Sequence, residues 1–246
     1  MLQLPRLYPI LDAACFPDVA GMLAAAEVLA AAGCTLLQYR NKSGNARQML
    51  DEARELRARL GEGIKLIMND RADLCLAAGF DGVHVGQDDL SAESARRIIG
   101  PDRWLGVSTH NPEQLALADQ TSADYVAIGP VFVTSSKANP DPVVGLEGVR
   151  RARELTRKPL VAIGGITRNS VHEQPPISRP EKRRYRRMEA RWFSTTLGPS
   201  YWPPGAGSRT AARRREIRSG AAKSMPTTRF ASRIYRRISR LTRQHS

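Results

Sequence analysis

Three groups of residues in this chain have the types and spacing to hold a phosphorylated molecule. The first is Gln38-Tyr39-Arg40-Asn41-Lys42. Alternation along an extended segment puts Gln38, Arg40 and Lys42 on one side, an amide and two cations that can converge on an anion. A solvated strand end making surface ion pairs would read the same way. The second group joins Met68-Asn69-Asp70-Arg71 to Gly86-Gln87-Asp88-Asp89. Carboxylates on neighbouring strand ends suit Mg²⁺, which takes one or two protein carboxylates and completes its shell with substrate oxygens and water. Either Asp88 or Asp89 could partner Asp70, and all three could instead cap the helices that follow. The third group is the turn Thr134-Ser135-Ser136-Lys137 with Gly164-Gly165 further on. Hydroxyls, a lysine and closely approaching backbone amides can cradle phosphate. Ser108 ends another apolar run. His84 lies inside a strand-like run and reads as a hydrogen-bonded core residue, and His110 has no carboxylate near it in sequence, so neither joins the catalytic set.

These groups share one position: each follows a short apolar run. The runs are Leu7–Leu11, Thr35–Tyr39, Lys65–Met68, Gly82–Val85, Trp104–Val107, Tyr125–Ile128 and Leu160–Ile163. Between them lie stretches of helical period, at residues 18–32, 46–60, 91–99, 112–119 and 146–156. Strands apolar on both faces and alternating with helices predict a parallel sheet covered by helices. Seven compact units in about 165 residues predict a TIM (β/α)8-type barrel, whose chemistry sits at the carboxyl ends of its strands. No GxGxxG follows the first run, which argues against a dinucleotide-binding sheet.

The charge of the chain divides at residue 170. Residues 1–170 carry 19 Lys and Arg against 20 Asp and Glu, whereas 171–246 carry 19 against 4. In the tail, Leu, Ile, Val and Phe make up 9 of 76 residues, too little apolar area to offset the entropy of ordering the backbone. Two regions are therefore expected, a barrel over 1–170 and a basic, disordered tail over 171–246. Cys15, Cys34 and Cys75 have neither CxxC spacing nor partnering histidines, so packing is expected of them rather than disulfides or zinc. Neither a signal peptide nor an apolar run long enough to span a membrane is visible, and a cytoplasmic protein is expected.

The motifs occur in the order of a known family. Gln38-x-Arg40-x-Lys42, Asn69-Asp70, the Gly82–Asp89 run, Gly106-Val-Ser-Thr, Gly129-Pro-Val-Phe, Thr134–Lys137 and Gly164-Gly165-Ile166 resemble thiamine-phosphate synthase over residues 6–169. Related barrels such as the thiazole tautomerase share several of them. The resemblance implies a Mg²⁺-dependent transferase coupling hydroxymethylpyrimidine diphosphate to a hydroxyethylthiazole phosphate, with release of pyrophosphate. It implies that Gln38, Tyr39, Arg40, Asn41 and Lys42 hold the pyrimidine diphosphate, with Asn69 on the same substrate. It selects Asp89, with Asp70, for the metal. It sets Ser108 by the leaving group, Lys137 on the diphosphate, and Thr134, Ser135, Ser136 and Gly165 on the thiazole phosphate. Arg40, Lys42, Ser108 and Lys137 are the expected catalytic set.

The family pattern stops where the charge changes. Pro175 and Pro176 would break the helix due after Gly164-Gly165-Ile166, and no later run reads as an eighth buried strand, so the barrel is expected to end after its seventh. An Arg-dense, Asp-free tail that begins inside a motif-bearing unit is what a shifted reading frame in a GC-rich gene produces. Alternatively, Arg183, Arg184, Arg186 and Arg187 with Tyr185, Trp192 and Phe193 could contact nucleic acid, and Phe230, Ile234, Ile238 and Leu241 could line a basic helix at a membrane surface.

Overall fold

A computed structural model describes residues 2–134 and 141–167, and the backbone of 191–194. The strands and helices alternate in the order β1 (Ile10–Asp12), α1 (Val19–Ala31), β2 (Leu36–Arg40), α2 (Ala46–Leu60), β3 (Lys65–Asn69), α3 (Ala72–Ala77), β4 (Gly82–Val85), α4 (Ala92–Ile99), β5 (Trp104–Thr109), α5 (Pro112–Asp119), β6 (Tyr125–Ile128), α6 (Gly145–Leu155), β7 (Leu160–Ile163) and β8 (Arg191–Ser194). All neighbouring strands pair in parallel, in sequence order. The result is the α/β TIM-like barrel expected of the alternation. Among the described residues no β8–β1 pairing closes the sheet, and no helix is long and apolar enough to cross a membrane.

The helix starts follow from side-chain caps. Asp18, Asn45, Ser91 and Asn111 each accept a backbone N–H in the first turn of α1, α2, α4 and α5, satisfying donors that a helix start leaves unpaired. Helix α3 has six residues, too few to show a period, and the sequence pattern did not reveal it. The sequence reading also ends the barrel at seven strands, whereas the sheet carries an eighth. Arg191 lies opposite Val161, Trp192 opposite Ala162 and Ser194 opposite Ile163, with a register shift between Ala162 and Ile163. Arg-Trp-Phe-Ser has no β-branched residue and is bounded by polar ones, so a search for buried apolar runs passes over it. The expectations of disorder, a shifted frame, nucleic-acid contact or a membrane helix in 171–246 otherwise lie outside the described residues.

The two faces of the sheet make two cores. Outward-facing Leu37, Leu66, Met68, Val83, Leu105, Val126 and Ala162 pack beneath the helices. Inside the barrel, Leu36, Ile67, Tyr125, Ala127 and Val161 meet Leu4 and Tyr8 from the N-terminal segment. Cys75 is buried, its thiol directed at the Gly82 carbonyl, as packing requires, whereas Cys15 and Cys34 are part-exposed.

At the amino ends of the strands the same brace is built twice. Arg57 of α2 donates to the carbonyls of Gly61, Ile64 and Gly79 and to Asp81, the residue before β4. Arg96 of α4 donates to the carbonyls of Gly100, Arg103 and Ser122 and to Asp124, the residue before β6. Each aspartate is tied reciprocally to the preceding strand. The Asp81 carboxylate accepts from Leu66 N–H at 2.9 Å while its own N–H donates to Leu66 O at 2.8 Å. The Asp124 carboxylate accepts from Leu105 N–H at 2.7 Å, and its N–H donates to Leu105 O at 2.8 Å. Burial alone would raise the Asp81 carboxyl, but Lys65, the Leu66 N–H and Arg57 together hold it below the usual carboxylate value. Its share of the stability is therefore present above about pH 4, where an unfolded Asp is ionised, and fades as pH falls through its lower native value. Replacing Arg57 with Met is expected to cost about 1–3 kcal/mol, because the part-buried Ile64 carbonyl and Asp81 carboxylate lose their donor; urea unfolding at pH 7 and pH 3 should show the deficit shrinking in acid.

Candidate active site

Alternation within each strand decides what reaches the carboxyl rim. The inward rows read Tyr8-Ile10-Asp12, Leu36-Gln38-Arg40, Ile67-Asn69, Gly82-His84, Trp104-Gly106-Ser108 and Tyr125-Ala127. The lower members are mostly apolar and the upper ones polar, so Arg40, Asn69 and Ser108 arrive at one mouth because their strands are in register.

Both rim cations are held by carboxylates of neighbouring strands. Arg40 pairs with Asp12, which sequence reasoning missed although it sits two residues beyond Ile10 on the inward row. Lys42, half-exposed past the end of β2, pairs with Asp70. Tyr39 and Asn41, expected on substrate, turn away from the mouth. The Tyr39 hydroxyl donates to Glu52 at 2.5 Å and the Asn41 amide donates to the same carboxylate at 2.9 Å. Gln48 supplies a third donor at 2.8 Å. Glu52 is a buried anion of α2 held by neutral donors, and it fixes the segment whose alternate residues are Gln38, Arg40 and Lys42.

Asp70 occupies a tight turn. Its φ of 61° lies in the left-handed region, which Asp tolerates better than most residues. Its N–H donates to His84 O at 2.8 Å, and Arg71 N–H donates to Asn69 O at 2.7 Å. The Asp89 carboxyl lies within hydrogen-bonding reach, and burial, with Asp89 beside it, pushes the Asp70 carboxyl up to about 6 despite Lys42. Asp89 also accepts from Gly86 N–H at 2.7 Å. Neither residue caps a helix: Arg71 precedes α3 and gives it no side-chain cap, and α4 is capped by Ser91. Asp88 is exposed and makes no such pair. Two touching carboxylates are a donor set that a divalent cation would relieve. No cluster of three or more His, Cys, Asp or Glu exists among the described residues. Beside them the Asn69 side-chain nitrogen is buried without a hydrogen-bond partner, a donor awaiting an acceptor.

Ser108 Oγ lies 2.8 Å from His84 Nε2, and Gln87 donates to the Ser108 carbonyl at 2.6 Å. Burial lowers the His84 imidazole to about 4, so it is neutral near pH 7. The expectation that His84 is a hydrogen-bonded core residue holds. His110 has the carboxylate that its sequence neighbourhood lacked: Nδ1 is 2.6 Å from Gly129 O and Nε2 3.3 Å from Asp141, in the segment ahead of α6. Thr134 follows Phe132 and Val133, whose carbonyls press on Gly165. A Cβ on Gly165 would stand 2.4 Å from Val133 O, and its φ is 66°, so glycine is required there for both reasons. Ser135, Ser136 and Lys137 lie outside the described residues.

Residues 7–174 match the thiamine monophosphate synthase family. The thiamine-phosphate synthase of Koribacter versatilis is 60% identical over 172 residues, covering 69% of this chain and 82% of the relative. That of Agrobacterium fabrum is 42% identical over 172 residues, covering 68% and 78%. The solved thiamine phosphate pyrophosphorylase from Pyrococcus furiosus superposes with a TM-score of 0.62 at 29% identity, over 77% of this chain and 84% of that one. The chain belongs to the thiamine monophosphate synthase family.

The raised Asp70 carboxyl has a measurable sign. Its protonated form is favoured by folding, so its stabilising share is complete below about pH 4 and is lost as pH rises through about 6. Asp70→Asn keeps a side chain that tolerates the left-handed turn and removes the like-charge contact. In metal-free buffer at pH 7.5 it is expected to raise the unfolding free energy by on the order of 1 kcal/mol, and to flatten the pH dependence between pH 4 and 7 in thermal melts.

Proposed function

We propose that this transferase couples hydroxymethylpyrimidine diphosphate to a hydroxyethylthiazole phosphate, forming thiamine phosphate and pyrophosphate. The C–O bond of the pyrimidine methylene breaks first, and its electron pair leaves with the pyrophosphate oxygen. The thiazole nitrogen then gives its lone pair to the methylene cation, forming the C–N bond. Such a step needs positive charge spread over the departing oxygens, and no strong nucleophile close to the cation. The observation that carries this reading is the contact of Asp70 with Asp89 beside the Lys42 ammonium, on the rim shared with Arg40 and the orphan Asn69 donor.

The rim cations are stored on carboxylates and released to substrate. Arg40 swings its guanidinium from Asp12 toward a phosphate, and Lys42 leaves Asp70, whose charge is then free for the metal. Asp70 and Asp89 are the residues that would hold Mg²⁺, and the bound ion would supply a concentrated positive charge for the diphosphate oxygens. Asn69 donates its unpartnered N–H to the same substrate. Gln38 and Ser108 line the wall between the diphosphate and the barrel interior. Thr134 and Gly165, with Ser135, Ser136 and Lys137, take the thiazole phosphate and the far side of the diphosphate; for the last three the support is the sequence resemblance.

A coupling assay on the folded protein with both substrates and Mg²⁺ tests this reading. Thiamine phosphate should form, chelation should abolish it, and Arg40→Ala should lower kcat/KM by about 10²-fold or more, the scale of losing one charged stabiliser of a leaving group. Folded wild-type protein that makes no thiamine phosphate under these conditions would overturn it.

A further inference from the structure

A line of hydrogen bonds crosses the barrel interior and ends at the rim. Gln38 Nε2 donates to Tyr8 Oη at 2.9 Å. Tyr8 Oη lies 3.0 Å from Tyr125 Oη, Tyr125 Oη 3.1 Å from His84 Nδ1, and His84 Nε2 2.8 Å from Ser108 Oγ. The residues come from the segment before β1 and from β2, β4, β5 and β6. All but Ser108 are buried, and none is charged. Space for the line is left on purpose by the sequence: a Cβ at Gly106 would stand 2.2 Å from Tyr125 Cζ and 2.4 Å from both His84 Nδ1 and Tyr125 Oη. Any other residue at 106 would sit where the central bond lies.

Each phenol has one proton and the neutral imidazole has one, so once Gln38 donates to Tyr8, the arrangement that leaves every buried phenol proton bonded runs outward. With Gln38 donating, Tyr8 donates to Tyr125 and Tyr125 donates to His84 Nδ1, which stays an acceptor. His84 then carries hydrogen on Nε2 and donates to Ser108 Oγ. Ser108 has an acceptor lone pair engaged below and its hydroxyl proton directed outward to the mouth. Were the line reversed, Ser108 would donate to His84 Nε2, and the Oγ lone pairs rather than the hydroxyl proton would face the carbocation.

We propose that Tyr8, Tyr125 and His84 are positioning residues that hold His84 as the Nε2–H tautomer, so that the Ser108 hydroxyl stays a donor to the departing diphosphate and not a nucleophile. The role of Ser108 rests on the coupling reaction proposed above, whereas the tautomer does not. The donor is uncharged and rigidly aimed before substrate arrives, which is the form of preorganisation that costs no rearrangement during bond breaking.

Full-length protein labelled with 15N-histidine at pH 7.5 tests this, with the His84 signal assigned by its loss in His84→Asn. Two-bond nitrogen–proton correlations should report Nε2–H in the wild type. Tyr125→Phe should shift His84 toward Nδ1–H or a mixture, while Tyr8→Phe, one link further away, should perturb it less. In the coupling assay Tyr125→Phe should lower kcat by about tenfold, the scale of one misdirected hydrogen bond, with KM changed by less than about twofold. An Nδ1–H tautomer in the wild type, or an unchanged tautomer in folded Tyr125→Phe, would overturn the proposal. If Tyr125→Phe does not fold, the wild-type tautomer and Tyr8→Phe decide it. A wild-type chain that shows Nε2–H without turnover leaves the line of bonds standing and removes the coupling reaction instead.

Discussion

A parallel barrel gives each strand two faces and only one of them an interior, and that geometric constraint governs everything else in this protein. The space inside is just wide enough for side chains from alternate positions, so every strand must choose its inward residues to fit in layers. Here the lower layer is Leu36, Ile67, Tyr125 and Val161, sealed by Leu4 and Tyr8 from the N-terminal segment. The upper layer is polar because it opens on solvent. A shift of one residue in β2 would bury Leu37 where Gln38 belongs and send Arg40 beneath the helices. The rim chemistry is thus a consequence of register.

Charge at the mouth is kept in reserve. Arg40 and Lys42 are each neutralised by a carboxylate from the adjoining strand. Without such partners, cations near the mouth would repel each other and leave the rim open to any anion. Asp70 bears the opposite burden, in a left-handed turn and against Asp89. Strain and like-charge contact gathered at one residue are typical of positions kept for a ligand and maintained by the surrounding structure. Glu52 performs quieter work from α2, where three neutral donors stabilise its charge and hold the Gln38–Lys42 segment in place.

Much of this was legible in the sequence. β4, β6 and β7 lie where the apolar runs place them, as do α2 and α5, because strand and helix periods are local properties. Arg40, Lys42, Asp70 and Asp89 share a rim because strand ends in a parallel sheet must share one. What stayed hidden was set by tertiary approach. Asp12 and Asp141 became partners of Arg40 and His110 only on folding. The family resemblance sets Tyr39 and Asn41 on substrate, and no local pattern showed that their side chains bond to Glu52. Tyr8 and Tyr125 are separated by most of the chain and meet only in the interior. The eighth strand escaped notice because a strand at a sheet edge can be held by backbone bonds without the apolar run that marks a central one.

The twinned brace at the opposite end of the barrel has a further meaning. Arg57 with Asp81 locks β3 to β4, and Arg96 with Asp124 locks β5 to β6. From each arginine the same offsets lead to a glycine carbonyl, a second carbonyl and the leucine that the aspartate grips. Two strands with their helices are thus tied into one cassette by a single arginine–aspartate pair. A wall assembled from such cassettes can be lengthened, exchanged or inherited by copying one of them, with the joint falling between β4 and α4 where neither brace crosses. The catalytic rim can diverge freely above, while the floor keeps the spacing that lets each copy fit the next.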